Sequence, residues 1–107
     1  MSVTVVLTED ATRDLGDIHR YVEENDGRIR ADRLLDGLQG VLAKLNDFPL
    51  RGEYPPELAA LGIKQFRQVH YKPYRAIYQV LDTMIVVMLI ADGRRDMRQV
   101  LERRLLS

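Results

Sequence analysis

The chain has 107 residues, 46% of them hydrophobic, and a formal net charge of +0. That length admits one domain, spanning residues 1–107, with one substantial core, and the apolar content excludes a disordered chain. With no cysteine there is no disulfide framework and no thiolate metal site, and the longest apolar run, Met84 to Ala91, is far shorter than the roughly 20 residues that cross a bilayer.

The zero net charge conceals a polarity. Through Glu57 there are seven basic against twelve acidic side chains; from Leu58 onward there are nine against four. Such segregation sets a basic surface beside an acidic one, although an acidic, solvated helical hairpin gives the same count. Met1-Ser2-Val3-Thr4 has no basic stretch leading into a long apolar one, so no signal peptide is expected and a soluble, cytoplasmic protein is.

In chain order, Val3 to Leu7 is a short β-branched run and predicts a strand. Thr8 is a good N-cap, Glu9 and Asp10 suit the positive end of a helix dipole, and Ala11, Leu15, Ile18 and Val22 recur at helical spacing. A helix from about Glu9 to Glu24 follows, closed by the turn signal Asn25-Asp26-Gly27. Ala31, Leu34, Leu35, Leu38, Val41, Leu42 and Leu45 form the wide apolar stripe of a second helix that Phe48-Pro49 ends. Gly37 and Gly40 within it are expected to let the first helix approach closely. The short connection makes the two helices an antiparallel hairpin.

Leu50 to Leu61 reads as a loop with a single turn at Pro56-Glu57-Leu58-Ala59. Three strands are predicted next, at about Ile63 to His70, Tyr74 to Leu81 and Met84 to Ala91, joined by Tyr71-Lys72-Pro73 and by the tight turn Asp82-Thr83. The third is apolar on both faces, as a central strand is. A last helix runs from about Asp96 to Leu105. The order is β-α-α-β-β-β-α, an α+β fold with the helical hairpin on one face of a small, mainly antiparallel sheet and a short C-terminal helix. The opposite face is expected to be partly open and to receive a partner.

Taken together, the Ala11…Asp14-Leu15…Ile18…Tyr21 helix, the Pro49…Gly52 loop, the Tyr74-Arg75-Ala76-Ile77-Tyr78 strand and Gly93-Arg94-Arg95-Asp96 leading to Leu101…Arg104 resemble the ParE/RelE superfamily of bacterial toxins. The resemblance implies a toxin encoded with a ParD-like antitoxin that wraps and neutralises it in a hetero-oligomer. Its branches differ in target. RelE-like members cut messenger RNA on the ribosome; ParE-like members inhibit DNA gyrase by holding its complex with cleaved DNA, arresting growth.

The residues favour the second branch. Metal-free RNA cleavage needs a base, an acid and cations on the phosphate. Arg75 matches the strand arginine of the RelE-like pattern, and Arg95 approximately matches its basic residue after the last strand. The tyrosine or histidine that RelE-like members often carry in or just before the last helix is absent, since the region reads Met97-Arg98-Gln99-Val100-Leu101. His70 is the remaining candidate base, so the ribonuclease alternative rests on Arg75, Arg95 and His70; in the gyrase reading no residue is catalytic. The candidate target-contacting residues are Arg67, Arg75, Arg94, Arg95, Arg98, Arg103 and Arg104. Arg75 is open to a second reading, as the partner of an internal carboxylate, for example one from the first helix. Tyr74 and Tyr78 share a strand face with Ala76 and Val80 and read as core. No cofactor or metal is expected, because His19 and His70 lie far apart with no ligand spacing.

Overall fold

The computed structural model describes residues 3–106; Met1 and Ser2, on which part of the leader argument rests, lie outside them. Strand β1 (Thr4–Leu7) leads into α1 (Glu9–Asp26), α2 (Arg28–Ala43), a short α3 (Pro56–Ala59), then β2 (Arg67–Tyr71), β3 (Tyr74–Leu81), β4 (Met84–Asp92) and α4 (Met97–Leu105). The strands form one sheet in the order β1-β4-β3-β2. β1 runs parallel to β4, with Val5 opposite Ile85 and Leu7 opposite Val87, and the other pairs are antiparallel. The expected order and fold class hold, with β4 in the interior of the sheet.

Local chemistry explains the helix boundaries. Thr8 accepts a hydrogen bond from the Ala11 amide, capping α1. Gly27 alone separates α1 from α2, at φ 95°, where a side chain would be strained. α2 closes at Ala43, earlier than Phe48-Pro49, and a 3₁₀ turn carries the chain over Lys44–Asn46. Asp96 caps α4 by accepting from the Gln99 amide.

Ala11, Leu38 and Leu42 of the α1–α2 hairpin, with Leu45 of the 3₁₀ turn, pack against Val69, Ala76, Tyr78, Ile85, Val87 and Ile90 of the sheet, with Tyr74 and Val80 alongside. The opposite face is covered more than the sequence suggests. Leu58 of α3, Phe66, and Met97, Val100 and Leu101 of α4 pack there on Ile77, Leu89 and Ala91. β4 serves both cores because its side chains alternate between the faces. The register shift between Ile77 and Tyr78, which pair with Leu89 and Val87 and pass over Met88, moves the hairpin-facing positions from Ile85 and Val87 to Ile90 and turns Leu89 and Ala91 to the second core.

Two expectations change here. β2 runs from Arg67 to Tyr71 rather than from Ile63 to His70, because Phe66 enters the second core as a loop residue with Ile63 packed beside it. Gly37 admits the Tyr71 ring from the sheet, not α1, and a Cβ at Gly40 meets nothing.

The glycines of this region therefore separate by neighbour. A Cβ at Gly52 would lie 2.5 Å from Tyr78 Oη and 2.6 Å from the Gln68 carbonyl oxygen. Gly52→Ala should lower unfolding free energy by roughly 1–3 kcal/mol, whereas Gly40→Ala, inside a helix with open space, should raise it by about 0.5–1 kcal/mol. Urea unfolding of the two variants checks both signs.

Candidate target-binding surface

The arginines that pattern alone groups together divide by geometry. Arg75 is only 8% exposed. Its Nη1 and Nη2 donate to the two oxygens of Glu57 at 2.8 Å each, and its Nε donates to Gln68 Oε1 at 2.7 Å. The paired acid thus comes from α3, not from the first helix. A bidentate guanidinium–carboxylate pair fixes both partners in orientation. It also explains Gly93, where a Cβ would lie 2.8 Å from Arg75 Cδ. The glycine lets the Arg75 stem pass beneath the exit of β4, and its amide donates to Pro73 O at 2.8 Å.

Arg67 and Arg104 are likewise engaged within the chain. Arg67 donates to the Gly52 and Leu50 carbonyls and to Tyr54 Oη, and its guanidinium lies 4.6 Å from the centre of the Tyr54 ring. Arg104 makes a bidentate pair with Asp14 at 2.8 and 3.0 Å. The partnered Asp14 also accepts the Ile90 amide at 3.0 Å, three residues beyond Val87, the last β4 residue that β1 pairs. One carboxylate thereby ties α1, β4 and α4 together.

The remaining candidates face outward. Arg94 and Arg98 have side chains 76% and 74% exposed; each keeps a local partner, Asp92 at 2.6 Å and Glu102 at 3.3 Å. Arg95 is exposed and makes no side-chain hydrogen bond or ion pair among the described residues, and Arg103 lies on the outer side of α4. Arg94 holds the Asp92 carboxyl below its ordinary range, its side-chain hydrogen bond being the main cause. Asp92, Arg94 and Arg95 border a recess with Asp14, Asp17, Tyr21 and Tyr74.

His70 is cross-strand partner to Arg75, and its Nε2 lies 3.2 Å from Glu53 Oε1. Gln68 Nε2 donates to the same oxygen at 2.9 Å, so a polar chain runs Glu57–Arg75–Gln68–Glu53–His70. Hydrogen bonds from Gln68 first, then His70, lower the Glu53 pKa. Lys44, Arg51, Glu53 and His70 line a cleft of about 390 Å³ beside this chain. Leu101, in the last helix from which the RelE-like resemblance implies a proton donor, is fully buried in the second core. Pattern reading missed the two internal carboxylates; Asp14 belongs to the helix pattern quoted above, but nothing in its neighbours names Arg104. Among the described residues no group of three or more His, Asp or Glu could hold a metal, and no helix is long and apolar enough to cross a membrane.

A helical hairpin on a four-stranded sheet, with arginines gathered at the exit of the central strand, defines a small toxin of the ParE/RelE kind. Residues 5–97 match the family described as the ParE toxin of the type II toxin–antitoxin system parDE, and the chain belongs to that family. Toxin ParE3 of Caulobacter vibrioides is 29% identical over 93 residues, covering 87% of this chain and 89% of its own. The fold is similar to that of the chromosomal ParDE system from P. aeruginosa, with a TM-score of 0.71 at 17% identity over 84% of this chain and 95% of the other. It is also similar to the RelBE2 toxin–antitoxin complex of Mycobacterium tuberculosis (TM-score 0.62, 23% identity, 86% and 99% covered). E. coli RelE in the free state gives 0.61 at 16% identity over 98% and 100%.

The Arg75 pair sets an acid limit on stability. Arg75's hydrogen bonds are the largest cause of a lowered Glu57 pKa. The unfolded chain therefore takes up that proton first, and the stabilisation is complete above the ordinary value of 4.5 and lost as pH falls towards the lowered one. Glu57→Gln should be less stable than the parent by roughly 1–3 kcal/mol near neutral pH, and the gap should narrow below pH 4.5. Urea midpoints across that range read it out. Arg94→Ala, which breaks an exposed pair, should change stability by less than about 1 kcal/mol.

Proposed function

We propose that this chain is a toxin that inhibits DNA gyrase by docking on it, without a catalytic residue of its own, and that a cognate antitoxin neutralises it in a cytoplasmic hetero-oligomer. The single observation that carries this reading is the combination at α4: a buried leucine stands where a proton donor would be needed, while Arg94, Arg95 and Arg98 point outward from the same segment. Family membership supports the toxin role. The paired systems among its structural relatives, ParDE and RelBE2, support an antitoxin partner.

The target surface is narrower than the full set of arginines. Arg67, Arg75 and Arg104 organise the domain, and Arg94, Arg95, Arg98 and Arg103 present charge to the partner. Rim cations of this kind accelerate encounter and are weakened by salt. Arg94→Ala/Arg95→Ala/Arg98→Ala should keep its helical circular dichroism and require roughly tenfold more toxin for half-inhibition of gyrase supercoiling, a loss of about 1.4 kcal/mol. Normal supercoiling at saturating wild-type toxin would overturn the proposal.

A second reading, a ribosome-dependent mRNA endonuclease, is supported by one contact. His70 pairs with Glu53 beside Lys44 and Arg51, an arrangement a general base can use. In that case primer extension on translated messages shows new codon-phased ends, and His70→Ala abolishes toxicity while antitoxin binding survives.

A further inference from the structure

We infer that Asp92 is a positioning residue: it holds the Arg94 guanidinium by one edge and leaves the other edge free, as a fork for an acidic side chain of the target protein. The inference rests on the reading of the chain as a gyrase-binding toxin and names the chemistry of that same surface.

A guanidinium offers two edges to a carboxylate, the side formed by Nε and Nη2 and the end formed by Nη1 and Nη2. Asp92 holds Arg94 by the side: Nε donates to Oδ1 at 3.0 Å and Nη2 to Oδ2 at 2.6 Å. The carboxylate is itself well placed to do so. Asp92 is the last residue of β4, its side chain is 26% exposed, and its Oδ1 also accepts the Arg94 amide at 2.9 Å. The end of the guanidinium is unused. Nη1 of Arg94 has no hydrogen-bond partner among the described residues, and the side chain is 76% exposed.

Two internal pairs show what the end edge takes. Arg75 is gripped at Nε by Gln68 and gives Nη1 and Nη2 to the Glu57 carboxylate. Arg104 gives the same two atoms to Asp14. Arg94 has the grip and lacks the second carboxylate. Because its stem and Nε are already held, it gives up little freedom when that carboxylate arrives.

Charge selects the partner. The Asp92–Arg94 pair is neutral as a whole, so it contributes direction at contact rather than attraction from afar, which suits one planar anion. The recess that Asp92, Arg94 and Arg95 border also carries Asp14 and Asp17. A DNA strand would bring a phosphate about every 3.4 Å past those acids, whereas an aspartate or glutamate of a folded protein brings a single charge to the fork.

The test follows association and dissociation of the full-length toxin with gyrase, with and without DNA, alongside inhibition of supercoiling. Asp92→Asn keeps an oxygen for the Arg94 amide and makes the surface more positive, yet releases the guanidinium. It should dissociate faster, associate no more slowly, and need roughly threefold more toxin for half-inhibition. Arg94→Lys keeps the charge and loses the fork; it should need about fivefold more. A thermal melt within a few degrees of the parent confirms each fold, and Arg94→Lys, which leaves Asp92 in place, decides the matter if Asp92→Asn melts early. Parental potency in either folded variant overturns the inference. So does higher potency of Asp92→Asn, which would make Asp92 a mask over Arg94. A loss in Arg94→Lys that appears with DNA-bound gyrase and not with gyrase alone assigns the fork to a phosphate and also overturns it. Wild-type toxin that leaves gyrase untouched is a separate failure, of the gyrase reading itself, and takes this partner with it.

Discussion

The bidentate pair between Arg75 and Glu57 is the constraint on which the rest of the structure depends. It joins β3 to α3, reaches β2 through Gln68, and requires Gly93 at the exit of β4. A guanidinium this buried is stable only with its charge matched and its donors satisfied. α3, otherwise a single isolated turn, is thereby held on the sheet and brings Leu58 into the second core. The turn after β4 is set by the same group, and with it the positions from which Arg94 and Arg95 leave the domain.

Arg104 and Arg67 repeat this logic at two other corners. Arg104 and Asp14 clamp the ends of the chain together and satisfy an amide of β4 beyond the reach of β1. Arg67 and Tyr78 clamp the loop that follows α2. A chain rich in arginine thus uses three of them as internal struts and shows the others to solvent.

The elements were legible where periodicity is strong. The stripe from Ala31 to Leu45 and the all-apolar run of β4 name their structure directly, and Thr8 marks the start of α1. The expected β2 begins four residues before the strand does and stops one short of Tyr71, because Ile63 and Phe66 are apolar for the second core they join rather than for a strand. The site was less legible than the fold. Arg75 and Glu57 are 18 residues apart and Arg104 and Asp14 are 90 apart, so no local spacing announces either pair. The same distance effect hid the covering of the second face, which depends on α3 and α4 meeting across the sheet. Leu101, read only as the lack of a proton donor, also anchors α4 in that core.

If Arg75 is a strut and the toxin acts by docking, the pair should be replaceable. Exchanging a buried ion pair for apolar residues of similar volume is often neutral or stabilising. The decisive measurement is gyrase inhibition by Arg75→Met/Glu57→Leu, expressed per folded molecule. Potency within about threefold of the parent, a difference below roughly 0.7 kcal/mol, is the predicted result. A double variant that folds as the parent does yet no longer inhibits would show that the Arg75 guanidinium itself meets the target, and would contradict the account.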